Sequence, residues 1–142
     1  MIFIVDVNVI LSALIKNGKS RELLIDSPFT LYSPDSLISS IRKYEDFTLQ
    51  KSGLSKEDFD TLLSLILENI VIVEKDQYQE QIPEAQKIME KIDAEDVPYI
   101  ALAISISNNG IWSDDAHFDK QNKVEVWKTI DIIEELEKER ID

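Results

Sequence analysis

The apolar residues of this 142-residue chain change period repeatedly, and each change marks an element. Ile2–Val5 is an unbroken apolar run, the pattern of a strand buried on both faces. Over Asn8–Ile15, Val9, Ile10, Ala13 and Leu14 fall at helical spacing. Ser20–Ile25 predicts a further short helix with Ser20 as its N-cap. Phe29–Tyr32 predicts a second strand. Pro34 and Asp35 open a helical stretch that runs to about Gln50 and is broken by Gly53. Ser55 and Asp58 have the spacing of a helix start and lead a helix over Phe59–Glu68. Ile70–Glu74 is rich in Val and Ile and predicts a third strand. Pro83–Lys91 predicts a helix with proline in its first turn. Glu95–Ser107 is apolar on most sides and therefore a buried helix. Gly110–Ser113 and Val124–Trp127 predict two more strands, and Thr129–Arg140 a closing amphipathic helix.

Strands alternating with helices imply parallel pairing with helices on both faces. The expected fold is a three-layer α/β/α sandwich with a parallel sheet of about five strands, one domain over residues 1–142. Its length and its 44% hydrophobic content support a core without a disulfide or metal staple. Cysteine is absent and histidine occurs once, which excludes thiolate zinc sites and cysteine nucleophiles and leaves little for a Ser-His-Asp apparatus. No apolar run approaches a membrane span. Ile2–Val5 is interrupted by Asp6 and lacks a basic flank, so no signal peptide is expected and the cytoplasm is the expected compartment.

Charge narrows the chemistry. Asp and Glu total 28 and Lys and Arg 15, a net charge of −13. Residues 1–71 carry 10 acids and 7 bases, and residues 72–142 carry 18 and 8, so the halves stand at −3 and −10. A binder that works by neutralising phosphates alone would be basic. If this chain handles phosphates, cations must bridge acid to acid, or local basic clusters must serve. Lys16, Lys19 and Arg21 form one such cluster after the first helix, and Arg42 and Lys43 another. Each is equally explained as a solvated surface.

In open parallel sheets, sites form beyond the carboxyl ends of strands. Asp6 follows the first strand, Asp114 and Asp115 follow the strand ending at Ser113, and Asp93 and Asp96 begin the buried helix. Singly, each acid has an ordinary role: Asp6 and Asp115 as helix caps, Glu95 and Asp96 as favourable charges at a helix start. Together they bring carboxylates from three segments toward one sheet edge. Crowded carboxylates repel, and a hard divalent cation, magnesium or manganese, resolves the conflict. His117, Tyr44 and Tyr99 are substrate-contact candidates for which packing is the simpler explanation.

Three ordered motifs carry a resemblance across nearly the whole chain. Asp6-Val7-Asn8-Val9-Ile10 after a short strand resembles the opening D-x-N-V-[LI] motif of PIN domains. Asp93-Ala-Glu-Asp96-Val-Pro-Tyr-Ile-Ala-Leu-Ala103 resembles their central motif, and Ser113-Asp114-Asp115 their late [TS]-x-D segment. The resemblance implies a ribonuclease-like fold with Asp6, Asp96 and Asp115 as the catalytic acids and Asp93 as an additional metal ligand. It implies that Asn8 holds the strand-end loop, that Ser113 orients Asp115, and that Asp114 is a supporting neighbour. The implied reaction is hydrolysis of an RNA phosphodiester assisted by magnesium or manganese, leaving a 5′-phosphate and a 3′-hydroxyl. The implied partners are RNA, an antitoxin protein, since many members are toxins of the VapC type, and a second copy of the chain.

One position departs from the family pattern. Where the family places a Glu on the helix after the second strand, this chain has Ser40. Asp35 and Glu45 are each five residues away, a rotation of ~140° on a helix, so neither is an obvious substitute. The loss implies a weaker metal site, which Asp93 would partly offset, and it keeps open a module that binds RNA or a protein without cleaving. Asp6 with the Asp114-Asp115 pair also resembles haloacid-dehalogenase phosphotransferases. Those need a second Asp where Asn8 stands and a lysine between Lys91 and Asp114, where none occurs. Receiver domains would leave the Ala-rich helix motif without a role.

Overall fold

The computed structural model describes residues 1–89 and 93–141. Among them, five strands form one parallel sheet in the order β3-β2-β1-β4-β5. The strands are β1 (Ile2–Val5), β2 (Thr30–Pro34), β3 (Ile70–Val73), β4 (Gly110–Trp112) and β5 (Val126–Trp127). The helices are α1 (Val7–Ile15), α2 (Lys19–Ile25), α3 (Ser36–Lys43), α4 (Glu45–Ser52), α5 (Lys56–Leu67), α6 (Ile82–Met89), α7 (Val97–Ser105) and α8 (Thr129–Ile141). The expected three-layer α/β/α sandwich is the observed one. Among the described residues, no helix is long and apolar enough to cross a membrane.

The chain leaves β1 toward β2 and β3 on one side, then returns to place β4 and β5 on the other. The strand order therefore reverses between β1 and β4, and a crevice opens beyond their carboxyl ends. Beneath it the core is apolar. Phe3, Ile4 and Val5 of β1 are fully buried, as are Ile111 and Trp112 of β4. Helix α7 packs across β1, β2 and β4 and buries Val97 and Tyr99 through Ala103. Its Ala101 and Ala103 bring its backbone close to the sheet. Helices α1, α2, α4 and α5 pack together as a separate group, with Val9, Ile10, Ala13 and Leu14 of α1 turned inward.

Several boundaries differ from the expected ones, each for a local reason. Ser20 does not cap α2, which begins at Lys19 after Gly18; the Ser20 hydroxyl lies 3.5 Å from that of Thr129 instead. Pro34 ends β2 rather than opening a helix. The long helical stretch is two helices jointed at Tyr44 (φ −100, ψ 9). There the Thr48 hydroxyl donates to the Tyr44 carbonyl at 2.7 Å, a back-bond that bends helices. Two short 3-10 turns, Lys75–Gln77 and Gln79–Gln81, fill the interval before α6. The end of the helix expected over Pro83–Lys91 lies outside the described residues.

The start of α5 is as its sequence predicts. Ser55 is extended (φ −66, ψ 158), and its hydroxyl accepts from the Asp58 backbone N–H at 3.1 Å. This bond satisfies one of the orphan donors of the first turn. Ser55→Ala is expected to destabilise the protein by about 1 kcal/mol, measured by urea unfolding, with the slope m unchanged.

Candidate metal centre

Asp6 is the first residue beyond β1, and its backbone N–H extends the ladder by donating to the Trp112 carbonyl at 3.1 Å. It occupies the N-cap position of α1, yet its carboxylate makes no cap bond. Oδ2 accepts instead from the Ser113 hydroxyl at 2.8 Å, and Oδ1 is buried with no hydrogen-bond partner. Asp6 is 1% exposed.

Across the crevice, Ser113 and Asp115 continue past β4. The Ser113 hydroxyl accepts from the Asp115 backbone N–H at 3.0 Å. Asp115 Oδ2 accepts from the Asn8 side-chain amide at 2.7 Å, and Oδ1 from the His117 backbone N–H at 2.9 Å. Each acid is thus braced from the opposite strand end, Asp6 by Ser113 and Asp115 by Asn8. This refines the two supporting roles. Asn8 orients Asp115, and Ser113 spans both acids.

Asp96 closes a 3-10 turn, Ala94–Asp96, that leads into α7 with Pro98 in its first turn. It is 6% exposed, and its Oδ2 is buried without a hydrogen-bond partner. His117 Nδ1 stands 3.3 Å from that oxygen and 3.6 Å from Asp115 Oδ1. Asp93 caps the same turn, its Oδ1 accepting from the Glu95 backbone N–H at 3.0 Å.

Asp93, Asp96 and Asp115 share one cavity of about 320 Å³, lined also by Asn8, Ser40 and His117; Asp6 is buried and does not line it. The other wall of the cavity is apolar, with Val7, Leu11 and Ile15 of α1 and Phe47 of α4. Burial pushes the Asp6 carboxyl up to about 7; the Ser113 hydrogen bond opposes this, and the charges of Asp96 and Asp115 add to it. Asp96 is pushed up to about 6, chiefly by burial and then by the charge of Asp93, with His117 opposing. Burial also raises Tyr99, whose hydroxyl is enclosed without a partner beside these acids.

Buried carboxylates with unpartnered oxygens and raised affinity for protons are groups poised for a cation. The donor set is mostly hard oxygen, the kind divalent cations such as magnesium take. An acidic cluster of this kind could hold a divalent metal, although Asp6 and Asp115 fall outside the closest grouping of ligand atoms. Among the described residues, Asp93, Asp96 and His117 offer three ligand atoms within 4.8 Å of one another.

Other expected participants lie elsewhere. The Asp114 carboxylate accepts from the Thr129 backbone N–H at 2.9 Å and from its hydroxyl at 2.6 Å, so it fastens the start of α8. Arg21 donates to the carbonyls of Ala13 at 2.7 Å and Leu14 at 3.3 Å, closing the end of α1. Lys19 pairs with Glu22 at 3.4 Å. Lys16, Lys19 and Arg21 sit at the far end of α1 from Asp6, and nine helical residues span about 13 Å. They line shallow surface clefts apart from the acidic cavity. Asp35 accepts from the Tyr78 hydroxyl at 2.5 Å, and Glu45 pairs with Arg42 and Lys56. Neither takes the place left by Ser40.

Two participants, Glu95 and Phe47, had no site role in the sequence reading, and His117 had only that of a substrate contact. Glu95 lies at the cavity rim, bonded to Lys43 and to the Tyr44 hydroxyl. Phe47 is 57% exposed in the apolar wall. His117 reaches Asp96 because the 3-10 turn Ala116–Lys120 folds it back. The i, i+4, i+8 spacing of Val7, Leu11 and Ile15 was a legible signal for that wall.

A parallel α/β sheet with acids at its reversal point is the architecture of a nuclease-type fold able to hold a divalent metal. Residues 4–137 match the family model of the PIN domain, and the chain belongs to that family. No match was found among curated proteins.

Proposed function

We propose that the protein is an endoribonuclease that hydrolyses RNA phosphodiester bonds with magnesium or manganese. The observation that carries this reading is the pair of buried, unpartnered carboxylate oxygens on Asp6 and Asp96, with Asp96 and Asp115 lining one cavity and both adding their charge at Asp6. When bound, a divalent cation supplies charge neutralisation at a phosphodiester and a water of lowered pKa. Asp6, Asp96 and Asp115 would hold it. Ser113 and Asn8 keep two of these acids in fixed rotamers, so little reorganisation is needed when substrate arrives. Water adds to phosphorus as the bond to the 3′-oxygen breaks; its proton passes to solvent or a cavity carboxylate, and the products are a 5′-phosphate and a 3′-hydroxyl. The surplus of acid over base means that cations must screen the approach of RNA. In the same reading, an antitoxin protein would control the activity and the protein would act as a homodimer in the cytoplasm.

A second reading is favoured by Ser40, which lines the cavity where the family has a carboxylate. In it the chain is a PIN module that binds RNA or a protein and cleaves feebly or not at all.

The deciding experiment is manganese-dependent cleavage of a mixed panel of structured and single-stranded RNAs, with Asp96→Asn beside the wild type. The expected result is cleavage that requires the metal and falls about a hundredfold or more in the variant. Equal cleavage by both proteins would identify a contaminant. RNA bound but uncut at saturating metal would establish the second reading.

A further inference from the structure

We propose that Asp93, Asp96 and His117 form a mixed nitrogen and oxygen metal position that prefers a first-row transition ion, such as manganese, to magnesium. The proposal rests on the metal centre above and deepens it, since Asp96 belongs to both. Three observations carry it. The ligand atoms of the three residues lie within 4.8 Å of one another. Asp96 Oδ2, more than nine-tenths buried with its residue, has no hydrogen-bond partner. His117 Nδ1 stands 3.3 Å from it.

That spacing fits two donors on one ion, as it also fits a hydrogen bond from a protonated His117 Nδ1. With metal–ligand bonds of about 2.0–2.2 Å, adjacent donors stand about 3 Å apart and opposite donors about 4.3 Å. Without a proton or a cation between them, a carboxylate oxygen and an imidazole lone pair at 3.3 Å repel. The imidazole is held there by its own backbone, because the His117 N–H is fixed on Asp115 Oδ1. Asp93 is fixed likewise by the Glu95 N–H on its Oδ1, which leaves Oδ2 to face an ion. Magnesium takes oxygen donors and keeps its waters, whereas imidazole nitrogen favours transition ions.

The test uses the whole chain with manganese chloride and magnesium chloride as probes, read by thermal shift and by pulsed electron paramagnetic resonance of bound manganese. Protein labelled with 15N-histidine is compared with unlabelled protein. The expected result is a nitrogen coupling that changes with the label, and manganese binding about tenfold or more tighter than magnesium. His117→Gln should lose the coupling and weaken manganese by a similar factor while leaving magnesium nearly unchanged. The His117 side chain is 41% exposed, so this variant should fold; its circular dichroism checks that. Manganese bound without nitrogen coupling, and equally well by His117→Gln, overturns this position and leaves the carboxylate centre standing. No manganese binding by the wild type overturns both.

Discussion

Asp6→Asn is expected to make the metal-free protein more stable while weakening its response to metal and abolishing its cleavage of RNA. The carboxyl of Asp6 is raised from 3.8 to about 7 by burial. The native state therefore holds a proton that the unfolded chain has released between those values. Stability attributable to this group is greatest below the unfolded pKa and is lost as pH rises through the folded one. At 1.36 kcal/mol per pKa unit, ionised Asp6 costs the fold about 4 kcal/mol above neutrality. Asparagine is neutral and nearly isosteric, and its side-chain oxygen can still accept from Ser113. Removing most of that cost is worth roughly 5–12 °C in melting temperature for a domain of this size. The gain should be full near about pH 8 and shrink to less than half by about pH 5. Millimolar manganese should raise the melting temperature of the wild type more than that of the variant, which keeps Asp93, Asp96 and His117. A variant less stable than the wild type at pH 8, or a gain independent of pH, would show that Asp6 carries no such strain.

The sheet was legible because its strands are short apolar runs punctuated by acids and glycines. The same punctuation marked the crevice, since Asp6 and Asp115 are the first polar residues that the ends of β1 and β4 can turn outward. Asp114 was harder to place. Along an extended segment, alternate side chains face opposite ways, so the residue between Ser113 and Asp115 turns from the cavity to α8. Arg21 looked like part of a phosphate grip, but carbonyls at the end of α1 are orphaned acceptors, and a guanidinium eight residues on can satisfy them. The joint at Tyr44 was illegible because helical spacing persists through it, with Leu37, Ile41 and Thr48 all buried. What breaks the helix there is a hydroxyl bond and side chains drawn toward Glu95, more than fifty residues away in sequence. The contact of His117 with Asp96 was hidden for the same reason, since a long-range contact leaves no period in the sequence.

The acids stay apart from one another only because the strands beneath them hold register, and that dependence predicts the effect of Gly110→Ala. Gly110 opens β4 with φ +143, a conformation that costs a residue with a Cβ about 1–3 kcal/mol. A Cβ there would lie 2.8 Å from the Glu125 carbonyl oxygen and 2.9 Å from Trp127 Cδ1. The same carbonyl accepts the ladder bond from Ile111 N–H at 2.9 Å. The Trp127 ring is held at two points, its Nε1 donating to the Asn109 carbonyl at 3.0 Å and the ring making a T-shaped contact with Phe3, centroids 5.3 Å apart. Strand β5 has two residues, too few to flex while keeping its pairing, so the methyl must drive it off the sheet edge. Strain and lost contacts together should cost about 3–5 kcal/mol, a fall of roughly 10 °C or more in melting temperature. Gly18→Ala is the control, because a Cβ at Gly18 meets only the Lys16 side chain at 3.9 Å; its cost should stay near 0.5 kcal/mol. Ser113 N–H donates to the Trp127 carbonyl at 3.0 Å, so displacing β5 also loosens the residue that spans Asp6 and Asp115. Gly110→Ala should therefore weaken manganese binding at temperatures where the variant is still folded, and Gly18→Ala should not. Equal metal affinity in a folded Gly110→Ala protein would mean that the acids are positioned by β1 and α7 alone.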